Sequence, residues 1–211
     1  MLNVAIIDYD CGNMFSILRC LERFNVEVSV TSDPAAIIKA DRLILPGVGG
    51  FGEGMRALKE RNLTEPIKEF AKSGKGLLGI CLGMQLLLDS SEEFGYNEGL
   101  GLIPGNVVLL KPLNDEKIPH IGWNSLLMPG HQSSSSWKGS LLKDFTPGKD
   151  VYFVHSYRAA TKNDKDCLAV TNYGGVGFPS VIKRDNITGC QFHPEKSGKN
   201  GIQMVYNFLF M

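Results

Sequence analysis

A cysteine between two glycines is the feature that most constrains how this chain can fold. The segment Gly79-Ile80-Cys81-Leu82-Gly83 continues the apolar run Gly76–Ile80 and leads into a helix expected over Gly83–Asp89. Flanking glycines permit the strained strand–turn–helix elbow that presents a nucleophile. The N–H groups and the positive dipole end of the helix would favour a thiolate, the form that attacks carbonyls. The alternative is a small buried cysteine at the end of a core strand, since short motifs often occur by chance.

A second motif, near the C-terminus, contains a histidine and an acid that could serve a nucleophilic cysteine as base and orienting group. The apolar stretch Ile187–Phe192 runs into His193-Pro194-Glu195, where the proline favours an extended backbone at the histidine and a stiff turn after a strand. Glu195 could then accept from one ring nitrogen of His193 and leave the other for Cys81. Alone, this motif is more often an exposed turn. Together with the cysteine elbow it predicts a catalytic set of Cys81, His193 and Glu195.

The other histidines and cysteines lack this context. His120 and His155 lie in strand-like runs, where a buried structural role is expected, and His131 lies in a polar loop where we expect solvation. Cys190 is the rival nucleophile, but it lies within a predicted strand and has no glycine turn around it. The cysteines without any catalytic context are Cys11, Cys20 and Cys167.

Composition argues against several classes of protein. The net charge is zero and there is no long basic run, so nucleic acid is not an expected partner. No segment has the roughly 18 apolar residues of a membrane helix, and Met1–Asp10 lacks the basic start of a signal peptide. Five cysteines without paired spacings, and no Cys-x-x-Cys or His-Glu-x-x-His motif, predict a reduced, cytoplasmic protein without metal or cofactor.

Strand and helix signals alternate along the first half of the chain. The predicted strands are Asn3–Asp8, Val26–Thr31, Arg42–Leu45 and Gly76–Ile80. The predicted helices between them are Ser16–Phe24, a short one opened by Asp33-Pro34, Glu53–Arg61 and Thr64–Ser73. Such alternation predicts an α/β fold with an open, mostly parallel sheet and helices on both faces.

The second half has a different sequence pattern, with short β-rich runs separated by Gly, Asn and Pro. These runs are Asn106–Leu110, Ile118–Ile121, Val151–Ser156, Leu168–Asn172, Pro179–Lys183 and Ile187–Phe192. They predict a more antiparallel or mixed β-rich region, which a final helix over Gly201–Phe210 follows. The length of 211 residues favours a single domain covering residues 1–211.

A glycine-rich segment follows the third predicted strand and allows three interpretations. Gly47–Gly52 matches the G-x-G-x-x-G pattern of dinucleotide-binding folds. However, it does not follow the first strand, and the next strand ends at Cys81, where such folds need an acidic residue to bind the ribose. Alternatively, a backbone N–H of this loop and that of Leu82 form an oxyanion hole. The third interpretation is an ordinary tight loop. Pro46–Gly49 and Cys81 both follow strand ends, where active sites of open α/β sheets lie.

Three motifs in this order resemble those of class I (triad) glutamine amidotransferases. They are Pro46-Gly-Val-Gly49, Gly79-Ile-Cys-Leu-Gly-Met-Gln85 and Phe192-His-Pro-Glu195. More narrowly, further motifs resemble the glutaminase subunits of imidazole glycerol phosphate synthases, namely Asp8-Tyr9 with Gly12-Asn13, His120-Ile-Gly-Trp-Asn124, Tyr152-Phe-Val-His-Ser-Tyr157 and His193-Pro-Glu-Lys-Ser197. The resemblance covers nearly the whole chain and implies a flavodoxin-like fold.

The resemblance also implies a mechanism and a set of site residues. Cys81 would attack the side-chain amide of L-glutamine, His193 would transfer protons, and Glu195 would orient His193. Water would then hydrolyse the thioester to glutamate. The implied oxyanion-hole residues are Val48, Gly49 and Leu82, and the implied glutamine-binding residues are Gln85, Glu93, Ser156 and Tyr157.

By the same resemblance, ammonia would pass to a (β/α)₈-barrel cyclase subunit that makes imidazole glycerol phosphate in histidine biosynthesis. The implied partner-facing residues are His120, Trp123, Asn124 and Lys196. The chain departs from the usual family pattern at Asp10, Cys11 and Gly50, which flank the expected mouth of the site. These departures leave open a paralogous glutaminase that supplies another synthase, such as one that amidates polysaccharide sugars. Two further classes stay open, a cysteine peptidase or esterase with the same triad and a nucleotide-binding module.

Overall fold

The structure, a computed structural model, describes residues 1–130 and 137–211. The first half consists of β1 (Leu2–Ile7), α1 (Met14–Leu21), β2 (Val26–Thr31), α2 (Pro34–Lys39), β3 (Arg42–Leu45), α3 (Phe51–Glu60), α4 (Thr64–Lys72), β4 (Gly76–Ile80) and α5 (Leu82–Leu86). The second half consists of β5 (Ser90–Ser91), β6 (Asn97–Glu98), β7 (Gly105–Leu109), β8 (His120–Ser125), β9 (Asp150–His155), β10 (Tyr157–Thr161), β11 (Cys167–Tyr173), β12 (Val176–Arg184), β13 (Ile187–Cys190) and α6 (Gly198–Phe210). His131 lies outside the described residues.

The main sheet carries the expected parallel arrangement. Within the described ranges its strand order is β11-β12-β13-β4-β3-β1-β2, and the strands from β13 to β2 are parallel. At the other end of the sheet, β12 runs antiparallel to both of its neighbours, β11 and β13. Strands β10-β7-β5-β6 form a second sheet, and β8-β9 form a two-stranded ribbon. The prediction of an α/β fold with a mostly parallel sheet and a more antiparallel second half is therefore confirmed.

The central parallel strands β1, β3 and β4 are buried on both faces, so consecutive side chains enter two different core layers. Ile6, Ile44 and Leu78 pack in one cluster with residues of α1 and α6. Their neighbours Ile7, Leu43 and Leu77 pack in the other cluster with residues of α2, α3 and α4. Helices on both faces thus leave the carboxyl edge of the sheet as the place where loops can build a site.

Several elements differ in their bounds from the sequence prediction; α1, for example, covers Met14–Leu21 instead of Ser16–Phe24. The helix after Cys81 ends at Leu86 instead of Asp89, because Leu88 N–H already closes a tighter turn onto Gln85 and the chain then enters β5. The predicted run Val151–Ser156 corresponds to β9, and after Ser156 the chain continues directly as β10 in the second sheet, a strand that the sequence analysis did not predict. Within residues 1–130 and 137–211, no helix combines the length and apolar character needed to cross a bilayer.

Candidate active site

The cysteine elbow forms at the carboxyl end of β4. Cys81 has φ 54° and ψ −109°, which is a strained conformation for a residue with a side chain. Its N–H donates to the carbonyl oxygen of Cys190 at 2.8 Å, so the elbow is tied to the end of the neighbouring parallel strand β13. The side chain therefore stands at the edge of the sheet, where it is largely buried but lines a cavity.

The two flanking glycines are required by close packing. A Cβ at position 79 would lie 2.7 Å from the carbonyl oxygen of Gly83. A Cβ at position 83 would overlap the backbone carbonyl of Leu45, at the end of β3. Helix α5 therefore reaches its place under the sulfur only because both residues lack side chains.

We expect Gly83→Ala to lower the free energy of unfolding by about 3 kcal/mol or more, because the clash is with backbone that cannot rotate away. Gly177→Ala is the matched control, since a Cβ there meets no atom of the described residues within 4 Å, and it should cost less than about 1 kcal/mol. Urea unfolding of the two variants and the wild type measures the difference. A Gly83→Ala protein as stable as the control would contradict this account of the elbow.

The histidine and glutamate lie at the start of a short 3₁₀ helix, Pro194–Lys196. His193 N–H donates to the carbonyl of Tyr152 at 2.9 Å, and Ser197 Oγ donates to the carbonyl of His193 at 2.7 Å. Ser197 Oγ also accepts from the Tyr152 N–H at 3.0 Å, which braces the turn against β9. His193 Nδ1 lies 2.8 Å from Glu195 Oε1, and the two side chains are 3% and 2% exposed. The acid therefore orients the imidazole inside the protein.

The charge of the His193 imidazole depends on Cys81 and Glu195. Burial alone lowers the pKa of His193, but hydrogen bonding and charge interaction with Cys81 and Glu195 more than offset it and raise the pKa to about 10. Among the residues that the structure describes, none lies at ordinary hydrogen-bonding length and angle from the Nε2 atom. Cys81 therefore influences the pKa of the imidazole without such a bond, and hydrogen bonds in active sites are often long before substrate binds.

A cavity of about 300 Å³ brings the predicted residues together. Its lining includes Cys81 and His193, and Glu195 contacts Nδ1 of His193. The predicted oxyanion and substrate residues that line it are Val48, Gly49, Leu82, Gln85, Glu93, Ser156 and Tyr157. Pro119, Val154 and His155 complete the lining and were not predicted as site residues.

A second buried glutamine, Gln191, lies at the site although no sequence motif indicated it. Its Nε2 lies 3.9 Å from Cys81 Sγ, and its Oε1 accepts from Gln85 Nε2 at 3.0 Å. Gln85 Nε2 also donates to the carbonyl of Tyr157 at 3.0 Å. The sequence signal that could have indicated Gln191 is its polar amide inside the apolar run before His193. The side chain is fully buried, and a buried amide needs hydrogen-bond partners.

The glycine loop is held in a defined position beside the cavity. Tyr9 Oη donates to the carbonyl of Pro46 at 2.5 Å, and a Cβ at position 47 would meet that hydroxyl. Val48 N–H donates to the carbonyl of Cys11 at 3.0 Å, so in this conformation it cannot serve the predicted oxyanion hole. Leu82, as the first residue of α5, has an N–H without an intrahelical acceptor.

The carboxylate of Glu93 lies at the N-terminus of α3. Phe51 N–H donates to Glu93 Oε2 at 2.6 Å. In a dinucleotide-binding fold, the phosphates would occupy this helix N-terminus. A carboxylate in that place favours a positively charged ligand group and argues against the nucleotide interpretation of Gly47–Gly52.

The residues expected to face a partner differ in exposure. Trp123 is 57% exposed, Lys196 is exposed and Asn124 is half-buried. His120 does not fit this expectation, because it is only 2% exposed and its ring stacks on Tyr173. The side chain points into the protein, where it contacts His155, as expected for a buried structural histidine.

Comparisons with known proteins agree with this geometry. The family described as "Glutamine amidotransferase class-I" matches residues 5–211. "Imidazole glycerol phosphate synthase subunit HisH 1" of Legionella pneumophila (strain Lens) is 48% identical over 213 residues, covering 99% of each chain. The HisH subunit of Sulfurimonas denitrificans is 45% identical over 208 residues, covering 97% of this chain and 96% of that one.

Solved structures share the fold at low sequence identity. A crystal structure of a glutamine amidotransferase has a TM-score of 0.73 at 15% identity and covers 98% of this chain and 97% of its own. The structure of PurLQS from Thermotoga maritima has a TM-score of 0.73 at 20% identity and covers 99% and 98%. The resemblance carried by the three motifs is thus confirmed, and the chain belongs to the class-I glutamine amidotransferase family.

Proposed function

We propose that this chain is the glutaminase subunit of an imidazole glycerol phosphate synthase, which hydrolyses L-glutamine and delivers ammonia to a cyclase subunit in histidine biosynthesis. The observation that carries the proposal is the convergence of Cys81, His193 and Gln85 on one cavity, with Glu195 bonded behind the histidine. Near-full-length identity of 45–48% to chains named HisH supports the choice of synthase.

The chemistry follows from the arrangement of the three catalytic residues. The Cys81 thiolate attacks the amide carbon of glutamine, and His193, protonated at Nε2, gives that proton to the departing ammonia. His193 then removes a proton from water, which attacks the thioester and releases glutamate and the thiolate. Glu195 keeps Nδ1 of His193 as a hydrogen-bond donor throughout, so Nε2 is always the nitrogen that exchanges the proton.

The negative oxygen formed in each step needs hydrogen-bond donors. Leu82 N–H, beside the nucleophile at the start of α5, is one proposed donor. The Val48–Gly49 segment is the second, and Val48 N–H can join only after it releases the carbonyl of Cys11. Hydrolysis should therefore be slow until this loop rearranges.

The rest of the cavity matches the groups of glutamine. The carboxylate of Glu93 suits the α-ammonium group, and Gln85, Ser156 and Tyr157 supply polar groups around the remainder of the substrate. Trp123, on the exposed face of β8, belongs to the surface on which a (β/α)₈-barrel cyclase would dock, together with Asn124 and Lys196.

The test is a synthase assay with the chain and its barrel subunit purified together. L-Glutamine should support formation of the cyclase product and release one glutamate for each product molecule. Isolated protein is assayed in parallel with peptide and ester substrates. Product formed from ammonium salts but not from glutamine would overturn the proposal, and turnover of peptides or esters would favour a cysteine hydrolase. Glutamine hydrolysis that the barrel leaves unstimulated would indicate another acceptor synthase.

A further inference from the structure

Two buried histidines lie beside the cavity and are bonded to each other. His120 and His155 are opposite one another in the antiparallel register of β8 and β9. Nδ1 of His120 lies 3.0 Å from Nε2 of His155, and Nδ1 of His155 lies 2.9 Å from the carbonyl oxygen of Tyr157. The two side chains are thus links of one chain of hydrogen bonds that ends at the backbone of the substrate cavity.

One placement of the ring protons satisfies every link. The carbonyl of Tyr157 can only accept, so Nδ1 of His155 carries a proton and Nε2 of the neutral ring accepts from His120 Nδ1. Nε2 of His120 then accepts from Asn124 Nδ2 at 3.4 Å. Burial lowers the pKa of His120 to about 4 and that of His155 to about 3, so both rings are neutral at pH 7.

The end of these hydrogen bonds at the Tyr157 carbonyl fixes the orientation of Gln85 in the cavity. The Tyr157 carbonyl that accepts from His155 also accepts from Gln85 Nε2 at 3.0 Å. Because Gln191 Oε1 accepts from the same nitrogen at 3.0 Å, the amide plane of Gln85 is held from two directions. The Oε1 atom of Gln85 is left as the amide atom available to a ligand.

We propose that His155, backed by His120, is a positioning residue that holds the Tyr157 carbonyl and thereby orients the Gln85 amide toward glutamine. The role rests on the proposed glutaminase function. Packing is the competing explanation, since His120 also stacks on Tyr173 with ring centroids 4.1 Å apart. The experiment must therefore separate substrate binding from stability.

His155→Leu and His155→Asn are the matched pair of variants, because leucine and asparagine have similar size and only asparagine can donate to the Tyr157 carbonyl. In the complex with the barrel subunit, His155→Leu should raise the KM for glutamine about tenfold and change kcat by less than about threefold. His155→Asn should bring KM back to within about threefold of the wild type. The melting temperatures of the two variants measure the loss of packing, which should be similar in both.

A double-mutant cycle tests whether the effect passes through Gln85. In a Gln85→Met background, His155→Leu should produce no further increase in KM, because the group that it positions is already gone. Additive increases would overturn the proposal, as would equal KM values for the leucine and asparagine variants. Absence of glutamine hydrolysis by the wild type would instead overturn the proposed function.

A measurement on the wild-type protein keeps the proposal testable if the leucine variant fails to fold. Nitrogen-15 NMR of labelled histidines at pH 7.5 should show His120 and His155 as neutral rings that carry their proton on Nδ1. A proton on Nε2 of His155, or a charged ring at either position, would overturn the proposed chain of hydrogen bonds.

Discussion

Replacement of Cys81 by alanine is expected to reduce kcat for glutamine hydrolysis by about 10⁴-fold or more, because a thioester needs a thiol and Cys81 is the one cysteine among the described residues that line the cavity. The side chain lies at the end of β4 with the imidazole of His193 as its charge partner. Removal of one sulfur should leave glutamine binding nearly intact. Glutamate release by the complex with the cyclase subunit measures kcat, and calorimetry measures binding.

Cys190→Ala is the matched control for this experiment. Cys190 is fully buried on the adjacent strand β13, and burial raises the pKa of its thiol well above the ordinary value. A thiol that stays protonated and has no access to the cavity cannot act as the nucleophile. The control should keep kcat within about threefold of the wild type, with some loss of stability. A Cys81→Ala protein that retained the activity of this control would end the proposed mechanism.

The parts of the site predicted from sequence are those set by local chemistry. A Cβ at position 79 would clash with Gly83 inside the turn that carries Cys81, and His193 and Glu195 are only two residues apart. Parallel strands were also predictable from the sequence, since β2, β3 and β4 have the predicted bounds. Apolar runs bounded by turn residues define such strands well.

The parts that could not be predicted depend on contacts between distant segments. The bond between Val48 N–H and the carbonyl of Cys11 joins two loops, and the bond between His120 and His155 depends on the register of β8 and β9. Neither follows from periodicity or spacing. Gln191 was missed for the same reason, because its partners Gln85 and Cys81 come from another strand–helix unit.

Glu195→Gln should lower kcat by about 10³-fold with little change in KM, because it removes the charge that supports the histidine. An amide can turn either way against Nδ1 of His193. With its NH₂ toward the ring, it selects the tautomer that carries the proton on Nε2, which cannot accept from Cys81. With its oxygen toward the ring, it keeps the correct tautomer but loses the negative charge that stabilises the imidazolium. Both orientations impair proton transfer, and neither touches the bound glutamine.

The pH dependence of kcat distinguishes this explanation from a simple loss of structure. The carboxylate of Glu195 is one of the groups that raise the pKa of His193 to about 10. Its removal should move the alkaline limb of the kcat profile to lower pH, because the imidazolium that protonates ammonia is lost sooner. Glu92→Gln, at an exposed carboxylate, is the control and should leave the limb in place. If the alkaline limb of Glu195→Gln coincided with that of the wild type, Glu195 would not stabilise the charged form of His193.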